Sequence, residues 1–201
     1  KNVTNEDFGY ITNHYNTVDM PGEWYMDKEG SLALMAPEGV NMADASKFET
    51  KARYNVINMN NRKNIVLRGI KTIGGSLIME KGENNVVDNC TMKHMSHFTL
   101  YTCPGRMLRD SSVNLNEDRS RQRGESGSWI GGTRNTIINN TFDHSAGTGV
   151  FIEGIGHYVK NNQFLNCGYS GSYMGALAIT YDERTAPSGT PKGGHMIIYN
   201  D

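Results

Sequence analysis

Several common signatures are missing from this 201-residue sequence, and each absence excludes something. Cysteine is scarce: Cys90, Cys103 and Cys167 are an odd number with no Cys-x-x-Cys spacing, which indicates neither a disulfide framework nor a zinc site. They read as small buried hydrophobes. No apolar run approaches the roughly 18 residues that a spanning helix needs, so no membrane insertion is expected. The polar segment after Lys1 lacks the apolar stretch of a signal peptide, which implies a removed signal or a fragment. An excess of one charge is missing too. Twenty basic against twenty-one acidic residues give a net charge of −1, so nothing draws the chain to nucleic acid. Hydrophobic residues make up only 37% of the sequence, less than a conventional globule of this size usually carries.

What is present is glycine, 23 residues of it, and abundant asparagine, the residues that supply turns. They fall into a repeat. The strings "NIVLRGIK" from Asn64, "NVVDNCTM" from Asn85, "NTIINNTF" from Asn135 and "HYVKNNQF" from His157 share one pattern, and a fifth begins at His195. Their starts lie 21, 50, 22 and 38 residues apart, which reads as a coil of about 22 residues with loops inserted into two of them. Apolar residues two apart, a turn, another short apolar stretch and a Gly-rich turn predict three short strands per coil. Asn140, Asn162 and Asn200 recur at one turn and are expected to form a ladder bonded to backbone groups above and below, with Gly69 and Cys90 in that place earlier. The sequons at Asn89 and Asn139 fall inside predicted coils.

The expected fold class is therefore all-β, a parallel β-helix or solenoid. Residues 1–53 form an N-terminal segment with a β-hairpin at about 22–35, turning at Asp27 to Gly30 and suited to capping the solenoid. The coils occupy 54–201, with insertions at 104–129 and 182–194. The sequence stops at Asp201 in mid-strand, so the natural protein is expected to continue, making the remainder of its own longer chain a partner.

Through "NTIINNTF", "HYVKNNQF" and the following "GTGVFIEG", residues 54–201 resemble the pectin lyase-like right-handed parallel β-helix superfamily. "GEWYMD" is similar to segments in β-helix glycoside hydrolases. The resemblance implies a right-handed helix and an extracellular or cell-surface location, with the periplasm as another option. It implies a polysaccharide or oligosaccharide partner and no cofactor. It does not fix the reaction, because the superfamily includes hydrolases, lyases, epimerases and non-catalytic adhesins.

Alternation along the third strand of each coil places the pairs Leu77/Met79, Phe98/Leu100, Val150/Ile152 and Leu177/Ile179 inward. The outward columns then read Glu80, Tyr101, Glu153, Thr180 and Ile78, Thr99, Phe151, Ala178, with Asn58 and Asn60 outward in the coil before. Glycosidic cleavage needs two carboxylates, one as proton donor and one as base or nucleophile. Glu153 with Asp182 is the first pair, with Glu80 behind them; each also fits a solvated strand residue.

Tyr101, Phe151 and Tyr181 are candidates for stacking on sugar rings, and packing beneath the long loop is the alternative for Tyr101 and Phe151. Arg106 and Arg109, in the first insertion, are placed to meet an acidic sugar or to belong to a mixed-charge solvated loop. His94 and His144 should stack as turn residues. No carboxylate has the spacing of a known ligand set beside them, so no metal is expected. The leading function is a glycoside hydrolase; the alternatives are a polysaccharide lyase and a non-catalytic glycan-binding or structural protein.

Overall fold

The computed structural model describes residues 14–53, 55–95, 127–169, 175–179 and 193–201. The chain forms two compact units, Lys1–Thr50 and Lys51–Asp201.

In the first unit, β1 (Trp24–Met26) pairs antiparallel with β2 (Leu32–Leu34), Tyr25 facing Ala33. Asp27 closes the turn because its Oδ1 accepts the Ser31 amide at 2.7 Å and its carbonyl accepts the Gly30 amide. Gly30 supplies the left-handed conformation, φ +87°. Just upstream, the Glu23 carboxylate accepts the amides of Asp19 and Met20, which holds it below the usual carboxylate range.

The second unit is a β-solenoid of three parallel sheets. The first contains β3 (Asn55–Asn58), β6 (Ser76–Glu83), β9 (Ser128–Thr133), β12 (Val150–Ile152) and β15 (Leu177–Ile179). The second contains β4 (Val66–Arg68), β7 (Val86–Asp88), β10 (Thr136–Ile138), β13 (Tyr158–Lys160) and β16 (Met196–Ile198). The third contains β5 (Lys71–Ile73), β8 (Thr91–Lys93), β11 (Thr141–Ser145) and β14 (Gln163–Cys167).

Strict register stacks like on like, so each inward column is continuous. Met79, Ile130 and Ile152 form one; Val87, Ile137 and Val159 another; Met92, Phe142 and Phe164 a third, with the phenyl rings stacked at 5.3 Å. All but the half-buried Phe164 are fully excluded from solvent, and such side chains contribute roughly 1.5–3 kcal/mol each by burial. Cys90 is buried as expected; Cys167 is half-buried, and desolvation pushes its thiol up to about 11.

The turns follow from residue type. Asn89, Asn139 and Asn161 adopt φ of 52°, 57° and 54° in one column, a conformation asparagine tolerates better than other side chains. Gly69 belongs to this column, one position earlier than expected. His94 and His144 occupy the equivalent place at another corner, φ 52° and 57°, with rings 4.9 Å apart.

The expected asparagine ladder is present. Asn162 Oδ1 accepts both the amide and the Nδ2 of Asn140 at 3.0 and 2.9 Å, Asn200 does the same for Asn162, and the Cys90 amide donates to Asn140.

A second interior ladder uses the residues that open the four later repeats: Asn85, Asn135, His157 and His195. Asn135 Oδ1 accepts the Asn85 amide at 3.0 Å, His157 Nδ1 the Asn135 amide at 3.1 Å, and His195 Nδ1 the His157 amide at 3.2 Å.

One strand differs from expectation. The place beside β6 and β12, assigned from sequence to Phe98 and Leu100, is taken by Ser128–Thr133. Phe98 and Leu100 lie outside the described residues. The first insertion therefore precedes the third strand of its coil, and Trp129 is a strand residue.

Candidate functional site on the outer face of the first sheet

Five columns run across the first sheet here, one of them inward. Ile78, Trp129 and Phe151 share an outward column and pack as an apolar cluster with Ala178, Trp129 and Phe151 meeting at 5.2 Å. Both aromatic rings are buried, Phe151 at 4% exposure. Behind them runs the inward Met79, Ile130, Ile152 column.

The third column carries the carboxylates. Register sets Glu153 beside Gly131, and Gly131 faces a bulge in which Glu80 and Lys81 oppose one residue. Lys81 sits at φ 51° within it. Asn60 Oδ1 accepts the Glu80 amide at 2.7 Å and so fixes the start of the bulge. Bulges of this kind re-aim side chains.

Glu80 and Glu153 thus stand two coils apart on one face, with backbones about 10 Å from each other at the usual strand spacing. No side chain grows from Gly131 between them. The Trp129 indole lies over that position instead: a Cβ on Gly131 would meet Trp129 Nε1 at 3.2 Å and Cδ1 at 3.6 Å.

The fourth column is all glycine, Gly82, Gly132 and Gly154. Consecutive backbones here approach so closely that a Cβ on Gly132 would overlap the Gly82 carbonyl, and one on Gly154 the Gly132 carbonyl. The fifth begins Glu83, Thr133, Ile155.

The interior ladder supports this face from behind. Asn135 Nδ2 donates to the carbonyl of Gly131, four residues back, at 2.9 Å; His157 Nε2 donates to the carbonyl of Glu153, also four back, at 2.7 Å. His157 therefore acts in place of an asparagine, accepting at Nδ1 and donating at Nε2. Burial pushes its imidazole down to about 4, and burial also lowers that of His195.

Charge at the outer corners is paired. Lys63 at 2.5 Å and Arg134 at 3.0 Å hold Glu83 low. Asp88 is lowered first by Asn139 and then by Arg68, at 2.8 Å each. At Asp143 burial pushes upward, but hydrogen bonds from Asn166, Lys93 and His144 outweigh it and hold the carboxyl low. Among the described residues no group of three or more His, Cys, Asp or Glu is placed to hold a metal ion.

Of the residues singled out from sequence, Glu80, Glu153 and Phe151 share this face. Asp182, Tyr101, Tyr181, Arg106 and Arg109 lie outside the described residues. In the positions assigned to Thr99 and Tyr101 the register has Trp129 and Gly131. Sequence reasoning passed over Trp129, Gly131 and His157. A signal existed, because "WIGG" from Trp129 repeats the aromatic-Ile-x-Gly order of "FIEG" from Phe151.

No family model, curated protein or solved structure matches the chain, and no helix among its described residues is long and apolar enough to cross a membrane.

Proposed function

We propose that this protein is a secreted, polysaccharide-active right-handed β-helix of the pectin lyase-like kind, a glycoside hydrolase whose outer face carries the paired carboxylates. Glu153 is one of the pair, and Asp182 or Glu80 the other. The supporting observation is the third column of the first sheet: Glu80 on β6 and Glu153 just beyond the end of β12, two coils apart and separated by Gly131, over which the Trp129 indole lies. One acid would protonate the leaving oxygen while the other serves as base or nucleophile, the division of labour that glycosidic cleavage requires.

The test is digestion of a panel of plant, algal and microbial polysaccharides, reading products by mass. Hydrolysis adds one water per cut. Glu153→Gln should then reduce turnover on the order of a hundredfold or more, and so should Asp182→Asn or Glu80→Gln, whichever is the partner. A loss below tenfold in all three variants removes these carboxylates from the mechanism. Unsaturated products would make the protein a lyase, and binding without cleavage, unchanged in the charge-neutral variants, would make it a non-catalytic glycan-binding solenoid.

A further inference from the structure

The second ladder changes chemistry partway along: two asparagines are followed by two histidines. Asparagine cannot change protonation state; histidine can. The change falls at the residue whose side chain ties down Glu153. His157 is almost wholly buried, and its ring is used twice, as acceptor of the Asn135 amide and as donor to the Glu153 carbonyl. His195 stacks on it at 5.1 Å with planes 7° apart, and accepts its amide in the same way.

We propose that His157 and His195 form an acid-sensitive lock that positions the Glu153 end of β12. A proton on Nδ1 of His157 turns that atom from acceptor to donor and sets it against the Asn135 amide. The same event on His195 sets it against the His157 amide. Both bonds close the turn between the first and second sheets, so their loss lets the ring shift and, through the Nε2–H bond it keeps, moves the Glu153 carbonyl with it.

Among the described residues none supplies a carboxylate that offsets a proton on the ring; the charge that acts on His157 is that of His195. From the adjoining coil the group facing His157 is His195, itself a base. Just past β12, the Glu153 carbonyl accepts from the ring, and the Glu153 amide bonds across to Ile130 in the coil before. From the β9–β10 turn the neighbour is neutral Asn135, and Arg134 pairs with Glu83 outside. Tyr158 and Lys160 lie on the opposite parity of β13 from inward Val159.

His157 is a positioning residue. Its relevance to chemistry rests on the proposed role of Glu153, but the lock itself is tested without glycan. Amide exchange read residue by residue should show the protection of Asn135, Glu153 and His157 falling by about a hundredfold between pH 6.5 and about 4, because the opened state takes up the proton first. His157→Asn preserves a ladder side chain that does not titrate, so the protection of Asn135 and Glu153 should stay nearly level over that range, while the amide of residue 157 still answers to His195. An equal fall in this variant and the parent overturns the proposal. If the variant does not fold, ring-proton NMR of the parent decides: a His157 resonance titrating near pH 6.5 overturns the lock, and one silent down to about pH 4 supports it. A chain that cleaves no glycan yet shows this exchange behaviour refutes the hydrolase reading alone.

Discussion

At Asn162, both Nδ2 and Oδ1 meet buried backbone or ladder groups, to Ile137, Lys160 and Asn200 on one side and Asn140 on the other. Its neighbour Asn161 has the same chemistry but is exposed and serves mainly a left-handed turn. The two should respond oppositely to substitution. Asn162→Ala leaves buried donors and acceptors unmatched and should cost roughly 2–4 kcal/mol in urea unfolding, whereas Asn89→Gly, at the same turn column as Asn161, should stay within about 0.5 kcal/mol because glycine accepts positive φ freely. Glycine is equally position-specific. Gly132 combines φ +89° with a Cβ site inside the Gly82 carbonyl. Gly132→Ala should therefore lose on the order of 3 kcal/mol or more, while Gly39→Ala, with nothing within 4 Å of its Cβ, bears only the strain of its φ of +78°. Thermal melts of the two variants would separate overlap from backbone strain.

Among the elements, those with strict two-residue alternation and an asparagine turn were legible in the sequence, and the one that broke the pattern was not. "NTIINNTF" and "HYVKNNQF" predict β10, β11, β13 and β14 because inward and outward residues alternate cleanly, and Asn140, Asn162 and Asn200 follow as a ladder. β9 was hidden. Its Gly131 and Gly132 look like a turn, yet they are required by the indole lying over one and the backbone approach at the other. "HFTL" before the insertion offers the better alternation, so the sequence alone sets the strand on the other side of the loop. Glu80 on β6 and Glu153 just beyond β12 are aligned through the inward pairs of their own strands, so that misplacement does not move them. The bulge at Glu80 and Lys81 was not legible, since nothing in "MEKG" signals an extra residue until its partner strand is known. It carries a prediction of its own. Lys81 at φ 51° is an uncommon choice inside a strand, so Lys81→Gly should leave stability unchanged or raise it by up to about 1 kcal/mol by chemical denaturation. A loss above that would mean the lysine side chain itself holds the bulge.

On the scale of the whole solenoid, the buried ladder and the paired corners act in the same direction as pH falls but in different windows. His157 has a folded pKa below its unfolded value, so it favours the folded state fully above about pH 6.5 and progressively less down to about 4. Glu83, Asp88 and Asp143 also have lowered pKa values, and as acids their contribution is present above the ordinary carboxylate range and lost as pH falls through their depressed values. Stability should therefore decline in two stages. The first, between about pH 6.5 and 4, is worth on the order of 3 kcal/mol if His157 is protonated only on unfolding. The second lies below the first and belongs to the corners. Variants separate them: His157→Asn should shrink the upper stage alone, leaving the part that His195 supplies, while Asp88→Asn with Asp143→Asn should shrink the lower stage alone, leaving the part that Glu83 supplies. Added salt distinguishes them again, because the Arg68, Lys93 and Arg134 partners are exposed and screened, whereas the histidine column is inside. Urea midpoints measured across pH at low and high salt would show the lower stage shrinking with ionic strength and the upper stage holding. An upper stage that shrank equally would place the responsible groups on the surface and remove the buried column from the account of acid sensitivity.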